Sequence, residues 1–305
     1  MDRDARSQWV NFIRFVIGSL FILLGKPLLN RQVTTFVFHE VSDTPRMHAQ
    51  ETHTYSDIKT FEKQIEWIEK FFEVRDLLTA DAMDDGGCVV TFDDGYAGLI
   101  ENALPILEAK GVPAVCLVNM VVIHGGINSS ALAMYMAGRE GRPVEWKDSN
   151  PIFYSRALEK LADKDLEVVR DYQGPYLNIQ QLTRLSDSSL ITIGDHLYNH
   201  WLLDAITLEE FGNEMAKSTE ALKSFKAYRQ IFAAPHGLSS SGALNYLLAS
   251  GFKLVFSGQG IHRLGTMKVY PRIDLNNEIA TVQQFFGAVV ISKLRILLWR
   301  GRLRS

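Results

Sequence analysis

Short apolar runs alternate with amphipathic segments along most of the chain. Six runs rich in β-branched and aromatic residues have the length of buried strands, at residues 33–38, 88–92, 114–118, 191–193, 230–233 and 253–256. Four segments between them place apolar side chains three and four residues apart, as on one helix face, at residues 57–72, 99–110, 207–226 and 242–250. Pro105 predicts a bend in the second of these helices. Because strands that alternate with helices form parallel β/α units, the pattern predicts an α/β fold.

Residues 124–176 interrupt this alternation. They hold several glycines and two helix-like pieces, at 130–138 and 153–171, and we predict that they form an insertion between two strands. In β/α proteins the loops at the carboxyl ends of the strands build the active site. The insertion is therefore interpreted either as a lid over the substrate or as a structural excursion.

The two ends differ from the middle and divide the chain into segments 1–32, 33–283 and 284–305. The first holds an almost wholly apolar stretch, interrupted by Asn11 and Arg14, which predicts an uncleaved membrane anchor, a helix lying on the membrane or a helix packed on the main domain. The last interleaves five basic residues with large apolar ones and holds no acidic residue, as in a basic amphipathic tail at lipid headgroups. We expect a membrane-associated protein. The charges around the apolar stretch leave the side open, and the cytoplasmic face is favoured.

The composition is that of an ordinary globular protein, with 305 residues of which 47% are hydrophobic and 22% charged. A net charge of −3 gives no reason to expect nucleic acid as a partner. Cys88 and Cys116 both lie in predicted strands. We interpret them as buried small hydrophobic residues, and they imply no disulfide framework.

The candidate chemistry begins where the second predicted strand ends. Residues 89–96 (Val-Val-Thr-Phe-Asp-Asp-Gly-Tyr) place two adjacent carboxylates, Asp93 and Asp94, on a glycine turn directly after an apolar run. Two like charges side by side are electrostatically costly. A metal ion bound by one of them would relieve that cost and leave the other free to transfer protons.

A pair of histidines follows a later apolar run at residues 191–193. His196 and His200 stand four residues apart, and Asp195 before them is expected either to orient an imidazole or to turn the chain. Two imidazoles and one carboxylate are the ligands of a catalytic metal site that keeps one position open for water. Taken singly, each motif is more often structural, but each follows a strand here, and together they predict metal chemistry.

These residues resemble the motifs of the polysaccharide deacetylases, the NodB-homology domain of carbohydrate esterase family 4. Residues 91–96 resemble the first motif and His196 to His200 the second, in which most members have Ser or Thr where this chain has Leu197. Further matches follow in the family's order at residues 36–41, 102–107, 111–114, 232–237 (Phe-Ala-Ala-Pro-His-Gly) and 270–273 (Tyr-Pro-Arg-Ile). The resemblance covers roughly residues 33 to 275. It implies the distorted, incomplete (β/α) barrel of these enzymes and a bacterial type of protein.

The resemblance also implies an activity, the hydrolysis of N-acetyl groups on a glycan or glycolipid. Asp93 would act as the general base for attack by metal-bound water on the acetamide. The backbone amide of His236 would stabilise the developing oxyanion, and Tyr96 of the first motif is predicted at the substrate site. One divalent ion, most often zinc, would be held by Asp94, His196 and His200.

The catalytic acid is left open, because the family's late Leu-x-His motif has no clear copy here. His262 and His39 are the predicted proton donors. The arginine that braces the general base in many members is replaced by Ala233, and Arg272 is predicted to take over its role. Three other histidines carry no motif and are interpreted as bystanders, namely His48, His53 and His124.

Two alternatives stay open at this point. One is a catalytically silent glycan-binding relative of the same fold. The departures at Leu197 and Ala233 and the missing Leu-x-His motif favour it, and the four intact residues Asp93, Asp94, His196 and His200 oppose it. The other is a relative that hydrolyses a small cyclic amide. Asp93→Asn would distinguish the first, because an enzyme would lose turnover and a binder would not. A metal requirement and acetate as the product would count against the second.

Overall fold

The computed structural model describes residues 3–24, 33–77, 86–237, 240–258 and 262–302. Within these ranges the predicted alternation is present, and all six predicted apolar runs form strands. The strands are β1 (Thr34–Phe38), β2 (Glu40–Val41), β3 (Tyr55–Ser56), β4 (Cys88–Phe92), β5 (Ala114–Val118), β6 (Ile191–Asp195), β7 (Tyr228–Ala233), β8 (Leu254–Phe256), β9 (His262–Leu264), β10 (Met267–Tyr270) and β11 (Ile273–Asp274).

One large sheet carries the fold, with nine strands in the order β11-β1-β4-β5-β6-β7-β8-β10-β9. Its pairs are parallel except for the edge pair of β9 and β10, while β2 and β3 form a small second sheet. The side chains of β1, β4, β5 and β6 are buried along their whole length, as parallel strands covered on both faces require. The sheet is a curled, open half-barrel, so the predicted incomplete (β/α) barrel is confirmed.

The helices follow the predicted positions and differ in detail. The segment predicted as one helix bent at Pro105 is a π-helical stretch, Leu99–Ala103, followed directly by α4. Pro105 lies in the first turn of α4, just after the π-helical stretch. Because a proline lacks the amide hydrogen and crowds the carbonyl four residues before it, the irregularity lies in the turn that precedes it. The helices are α1 (Arg3–Leu24), α2 (Met47–Thr52), α3 (Ile58–Phe71), α4 (Leu104–Lys110), α5 (Met120–Ile123), α6 (Ser129–Arg139), α7 (Pro151–Glu159), α8 (Asp163–Gln173), α9 (Ile179–Asp187), α10 (Leu208–Leu222), α11 (Ser241–Ala249) and α12 (Val282–Arg302).

The insertion is helical and has a small apolar core of its own. The side chain of Asn128 accepts hydrogen bonds from the first amides of α6 and so begins that helix. The piece predicted as one helix at 153–171 is two, α7 and α8. Their inner faces pack on α6 around Leu132, Met136, Ala157 and Val169. The insertion is therefore a folded layer rather than an irregular loop.

The two terminal helices lie side by side, in backbone contact. A Cβ atom on Gly18 of α1 would come 1.8 Å from the backbone oxygen of Gln283, and one on Gly287 of α12 would come 1.9 Å from that of Arg14. No larger residue fits at either position without moving the helices apart. The two glycines thus allow α1 and α12 to pack closely.

The first turns of α12 belong to the core of the main domain. Phe285 stacks on Phe36 of β1, and Phe286 packs against Phe21 of α1. The boundary expected at residue 284 therefore lies inside a helix that is anchored on the sheet. Within the described ranges, no helix combines the length and the apolar character needed to cross a membrane.

Glu40 on β2 is a buried acid, with 3% of its surface exposed. Burial, and then the charge of Glu101, raises the pKa of Glu40 from 4.5 to about 8. Between these values the folded state keeps a proton that the unfolded state has released. The contribution of Glu40 to stability is therefore present below about pH 4.5 and is lost as the pH rises to about 8, with a slope of up to ~1.4 kcal/mol per pH unit.

Glu40→Gln is therefore expected to flatten the pH dependence of stability, because glutamine does not ionise. The free energy of unfolding in urea, measured from pH 5 to pH 8, checks this. Some slope of the same sign should remain, since burial raises the pKa of Asp195 to about 7. The exposed Glu62→Gln is the matched control and should keep the wild-type slope. An unchanged slope in Glu40→Gln would refute the assignment.

Candidate active site

The carboxyl ends of the strands bring the predicted site residues together. Asp93 and Asp94 follow β4, and His196 follows β6, two strands along the sheet. His200 lies in the loop after His196, and Arg272 lies between β10 and β11. Because the carboxyl ends of parallel strands meet at one edge, these five side chains line a single cavity.

Asp94, His196 and His200 form a compact three-ligand cluster. Oδ1 of Asp94 lies 3.3 Å from Nε2 of His200 and 3.5 Å from Nε2 of His196. Ligand atoms placed tetrahedrally at about 2.0–2.1 Å from zinc stand roughly 3.3 Å apart, so the spacing fits one small cation. Oδ1 of Asp94 is buried and accepts no hydrogen bond from the described residues. A cation at this point would satisfy it.

Each imidazole of the cluster is held through Nδ1, the ring nitrogen that does not face Asp94. Nδ1 of His196 donates to the carbonyl oxygen of Ala233 over 2.9 Å, and Nδ1 of His200 lies 2.9 Å from Oγ of Ser130. A carbonyl accepts only, so the bond to Ala233 sets the tautomer of His196 and leaves the lone pair of its Nε2 free for a ligand.

Burial shifts the pKa of the carboxylate and of one imidazole in the cluster. It raises the pKa of Asp94 above its usual value. It also lowers the pKa of His200 well below its usual value, with further lowering by His196 and His236. Divalent ions bind the ionised carboxylate and the neutral imidazole. The imidazole is thus already in its binding form, and a cation would offset the cost of ionising Asp94.

Three residues of the two motifs adopt left-handed backbone conformations that favour glycine. The φ angle is 69° at Asp94, 66° at Leu197 and 59° at His200. Such conformations cost free energy in residues with a Cβ atom, and they cluster at functional sites. Leu197, where the family has Ser or Thr, is fully buried in an apolar cluster with Trp201 and Phe211. Its departure from the family pattern therefore concerns packing and leaves both imidazoles in place.

Asp195 stabilises the turn between β6 and the two histidines. Its Oδ1 accepts the backbone N–H of Leu197 and the hydroxyl of Ser218, both over 2.9 Å. Among the described side chains, neither imidazole bonds to it. Of the two roles that the sequence left open, the structure therefore supports the turn.

Asp93 forms a bidentate ion pair with Arg272. Nη1 and Nη2 of the guanidinium donate to the two carboxylate oxygens over 2.5 and 2.6 Å. Burial opposes the ionisation of Asp93, yet the charges of Arg272 and His196 outweigh it and lower the pKa of Asp93 to about 2. The carboxylate is therefore ionised and fixed, with Oδ2 lying 3.6 Å from Nε2 of His196. Arg272 thus stands where the family's bracing arginine, replaced by Ala233, would act.

The cavity has a volume of about 680 Å³, and the insertion builds part of it. His39 after β1 and His236 after β7 lie on its wall. The insertion adds Ser130, Met134 and Trp146. Oγ of Ser130 also lies 3.0 Å from Nε2 of His236, which joins this histidine to the three-ligand cluster. The insertion is therefore part of the site.

Of the predicted site residues, Tyr96 and His262 are not among those that line the described cavity. Tyr96 is buried behind the cavity, where its hydroxyl lies 3.1 Å from Nδ1 of His48 and its ring stacks on Tyr176. A substrate contact at Tyr96 stays a prediction. His262 begins the edge strand β9, and its side chain lies outside the described residues.

Several residues that support or line the site were not predicted from the sequence. Ser130 holds His200, and His48 and His53, which were interpreted as bystanders, line the cavity together with Glu278. These residues carry no motif and reach the site only through the fold. The one available signal was the Asn-Ser-Ser cap at the start of α6, a polar run inside an otherwise apolar segment.

The profile of the family described as polysaccharide deacetylase matches residues 80–255. A search of curated proteins found no match.

Solved structures share the fold at low sequence identity. IcaB from Ammonifex degensii is 18% identical with a TM-score of 0.56, and the match covers 85% of this chain and 97% of IcaB. The deacetylase PplD from Streptococcus pyogenes, solved in complex with acetate, is 13% identical with a TM-score of 0.58 over 85% of this chain and 98% of PplD. A de-N-acetylase from Aggregatibacter actinomycetemcomitans is 16% identical with a TM-score of 0.56, over 83% of this chain and 99% of its own. These likenesses establish the fold. Since the family profile spans more than half of the sequence and includes both motifs, the chain belongs to the polysaccharide deacetylase family.

Proposed function

We propose that this protein removes N-acetyl groups from a glycan with the help of one divalent ion, held by Asp94, His196 and His200. As a polysaccharide deacetylase it is a hydrolase of amide bonds in an N-acetylated glycan. The metal dependence and the roles of individual residues go beyond family membership. One observation carries them. In a single cavity, a three-ligand cluster with an unsatisfied carboxylate oxygen adjoins a second carboxylate that Arg272 keeps ionised.

The general base is Asp93. When bound, a divalent ion supplies Lewis acidity, which activates water and polarises the acetamide carbonyl. Asp93 accepts the proton of the attacking water, because its carboxylate is ionised and adjoins the ligand cluster. Arg272 keeps the carboxylate charged and prevents its rotation through two parallel hydrogen bonds. Zinc suits one carboxylate and two imidazoles, although other divalent ions accept the same ligands.

Two histidines complete the proposed mechanism. The amine leaves only after its nitrogen is protonated, because an amide anion is a poor leaving group. His39 is the proposed donor, since it lies on the cavity wall with Oδ1 of Asp274 4.0 Å from its Nδ1. The backbone N–H of His236 is the proposed oxyanion donor, at a turn where φ is 56°.

Acetate release tests this function directly. Purified protein is incubated with a panel of N-acetylated oligosaccharides, and acetate and free amine are both measured. We expect equal amounts of the two products, loss of release after treatment with a chelator, and recovery when Zn²⁺ is returned. The control His124→Gln lies outside the cavity lining and should behave like wild type.

Other results would assign another function. Release that persists after complete removal of metal would contradict the role of the ion. Binding of an oligosaccharide by metal-loaded protein without any release would favour the silent glycan-binding relative. Opening of a cyclic amide without acetate would favour the third interpretation.

A further inference from the structure

The outward face of α1 is strongly apolar. Large side chains along it are exposed to solvent, including Trp9 (60%), Phe12 (59%), Leu20 (53%) and Leu23 (80%). Scattered exposed apolar residues are normal on a protein surface, but a continuous row of them along one helix marks a surface that binds something. This row of exposed side chains on α1 is called the apolar face below.

The opposite face of α1 is fastened to the rim of the active-site cavity. Ser7, Asn11 and Arg14 recur at spacings of four and three residues, so they share one face of the helix. Oγ of Ser7 donates to Glu278 over 2.6 Å, Nδ2 of Asn11 donates to Glu278 over 3.3 Å, and Nη1 of Arg14 lies 4.0 Å from Glu278. The polar interruptions of the apolar segment are therefore the residues that attach it to the domain.

The same helix forms part of the cavity wall. Ser7, Val10 and Arg14 line the same cavity as the three-ligand cluster and Asp93. Only the thickness of one helix, about 10–12 Å with side chains, separates this wall from the apolar face. Whatever covers the apolar face therefore lies close to the opening through which substrate enters.

Charge along the sequence points to the nature of that partner. Segments 1–31 and 282–305 hold ten of the 32 Lys and Arg residues and two of the 35 Asp and Glu residues, a net charge of +8. The whole chain carries −3, so the remaining 250 residues carry −11. Basic, apolar terminal segments on an otherwise acidic protein complement a surface that is both hydrophobic and anionic.

We propose that α1 and α12 form a docking surface for an anionic lipid bilayer, and that the substrate is a glycan carried by a lipid of that membrane. The substrate assignment rests on the function proposed above. Exposed aromatic and aliphatic side chains enter the headgroup region, while Lys and Arg of the two terminal segments meet anionic headgroups. Because α1 is both docking helix and cavity wall, the bilayer lies about one helix diameter from the cavity. Sugars attached to a membrane lipid are thereby presented to the catalytic residues.

Vesicle co-sedimentation of the full chain tests the docking surface. The vesicles are phosphatidylcholine alone or with phosphatidylglycerol, and the variant is Trp9→Ser/Phe12→Ser. We expect wild type to prefer the anionic vesicles and the variant to bind them at least ~10-fold more weakly, because two large side chains no longer enter the headgroup region. Ile152→Ser/Val168→Ser, which removes two exposed apolar side chains from the insertion, is the matched control and should bind like wild type.

A second measurement distinguishes a failure of the docking surface from a failure of the proposed deacetylase activity. Deacetylation is compared for one glycan as a free oligosaccharide and attached to a lipid in the anionic vesicles. We expect wild type to prefer the attached form and Trp9→Ser/Phe12→Ser to lose that preference while keeping wild-type activity on the free form. Normal vesicle binding without deacetylation of either form would refute the proposed function and leave the docking surface standing.

Three outcomes would overturn the inference. Absence of vesicle binding with normal activity on the free oligosaccharide would refute the docking surface while the proposed function stands. Equal binding by wild type and Trp9→Ser/Phe12→Ser would place the membrane contact elsewhere. A dimer in sedimentation velocity that this variant dissociates, without vesicle binding, would assign the apolar face to a second copy of the chain.

Discussion

Asp93→Asn is expected to lower the rate of deacetylation by about 10³-fold while leaving the bound ion in place. Asparagine has the shape of the aspartate but cannot accept the proton of the attacking water. The ion should remain, because its proposed ligands are Asp94, His196 and His200, while the carboxylate of Asp93 is paired with Arg272. The rate of acetate release and the metal content of the same preparation are the two measurements.

The matched control for this variant is Asp187→Asn, an equal change at an exposed position at the end of α9. It should retain both metal and activity. Near wild-type turnover in Asp93→Asn would remove Asp93 from the mechanism. Loss of the ion together with activity would make Asp93 a ligand and leave the general base unassigned.

Arg272→Gln is expected to move the acidic limb of the pH–rate profile to higher pH. In the wild type, Arg272 and His196 outweigh burial and lower the pKa of Asp93 to about 2, so the base stays ionised at every pH normally assayed. Without the guanidinium, burial dominates, and the pKa of Asp93 should rise by roughly 1–3 units. The ionised fraction of Asp93, and with it the activity, should therefore fall by up to about 10-fold at pH 4 and recover as the pH rises.

The conservative variant Arg272→Lys separates charge from geometry. It keeps the positive charge but not the two parallel hydrogen bonds, so its pH profile should stay close to wild type while its turnover is reduced. The profile of kcat/KM from pH 4 to pH 9 is the measurement for all three proteins. A profile in Arg272→Gln that is lower but not displaced would show that Arg272 orients Asp93 without setting its ionisation.

The ligand cluster and the base were predictable because each follows a buried strand. An apolar run that ends in two aspartates, and another that ends in two histidines, place four side chains at the same edge of a parallel sheet. Position alone then indicates proximity, even between residues distant in sequence. Arg272 was reached differently, as a replacement for the arginine missing at Ala233, and its bidentate pair with Asp93 supports that interpretation.

The supporting residues were not predictable, because their roles depend on contacts that no local pattern records. Ser130 reaches His200 only because the insertion folds against the second motif, and a serine at a helix start ordinarily indicates a cap. Asn11 and Arg14 interrupted an apolar run, and the sequence alone could not show that Glu278 is their partner. Pairing across the whole length of the chain requires the folded structure.

The content of bound metal per chain is the decisive test of whether Asp94, His196 and His200 hold an ion. Wild type, Asp93→Asn and His196→Ala are purified without chelator and analysed by elemental mass spectrometry, before and after supply of Zn²⁺. We expect close to one ion per chain in wild type and in Asp93→Asn, and its loss in His196→Ala. A folded wild-type protein that holds no ion and takes up none when it is supplied would refute a metal-dependent mechanism.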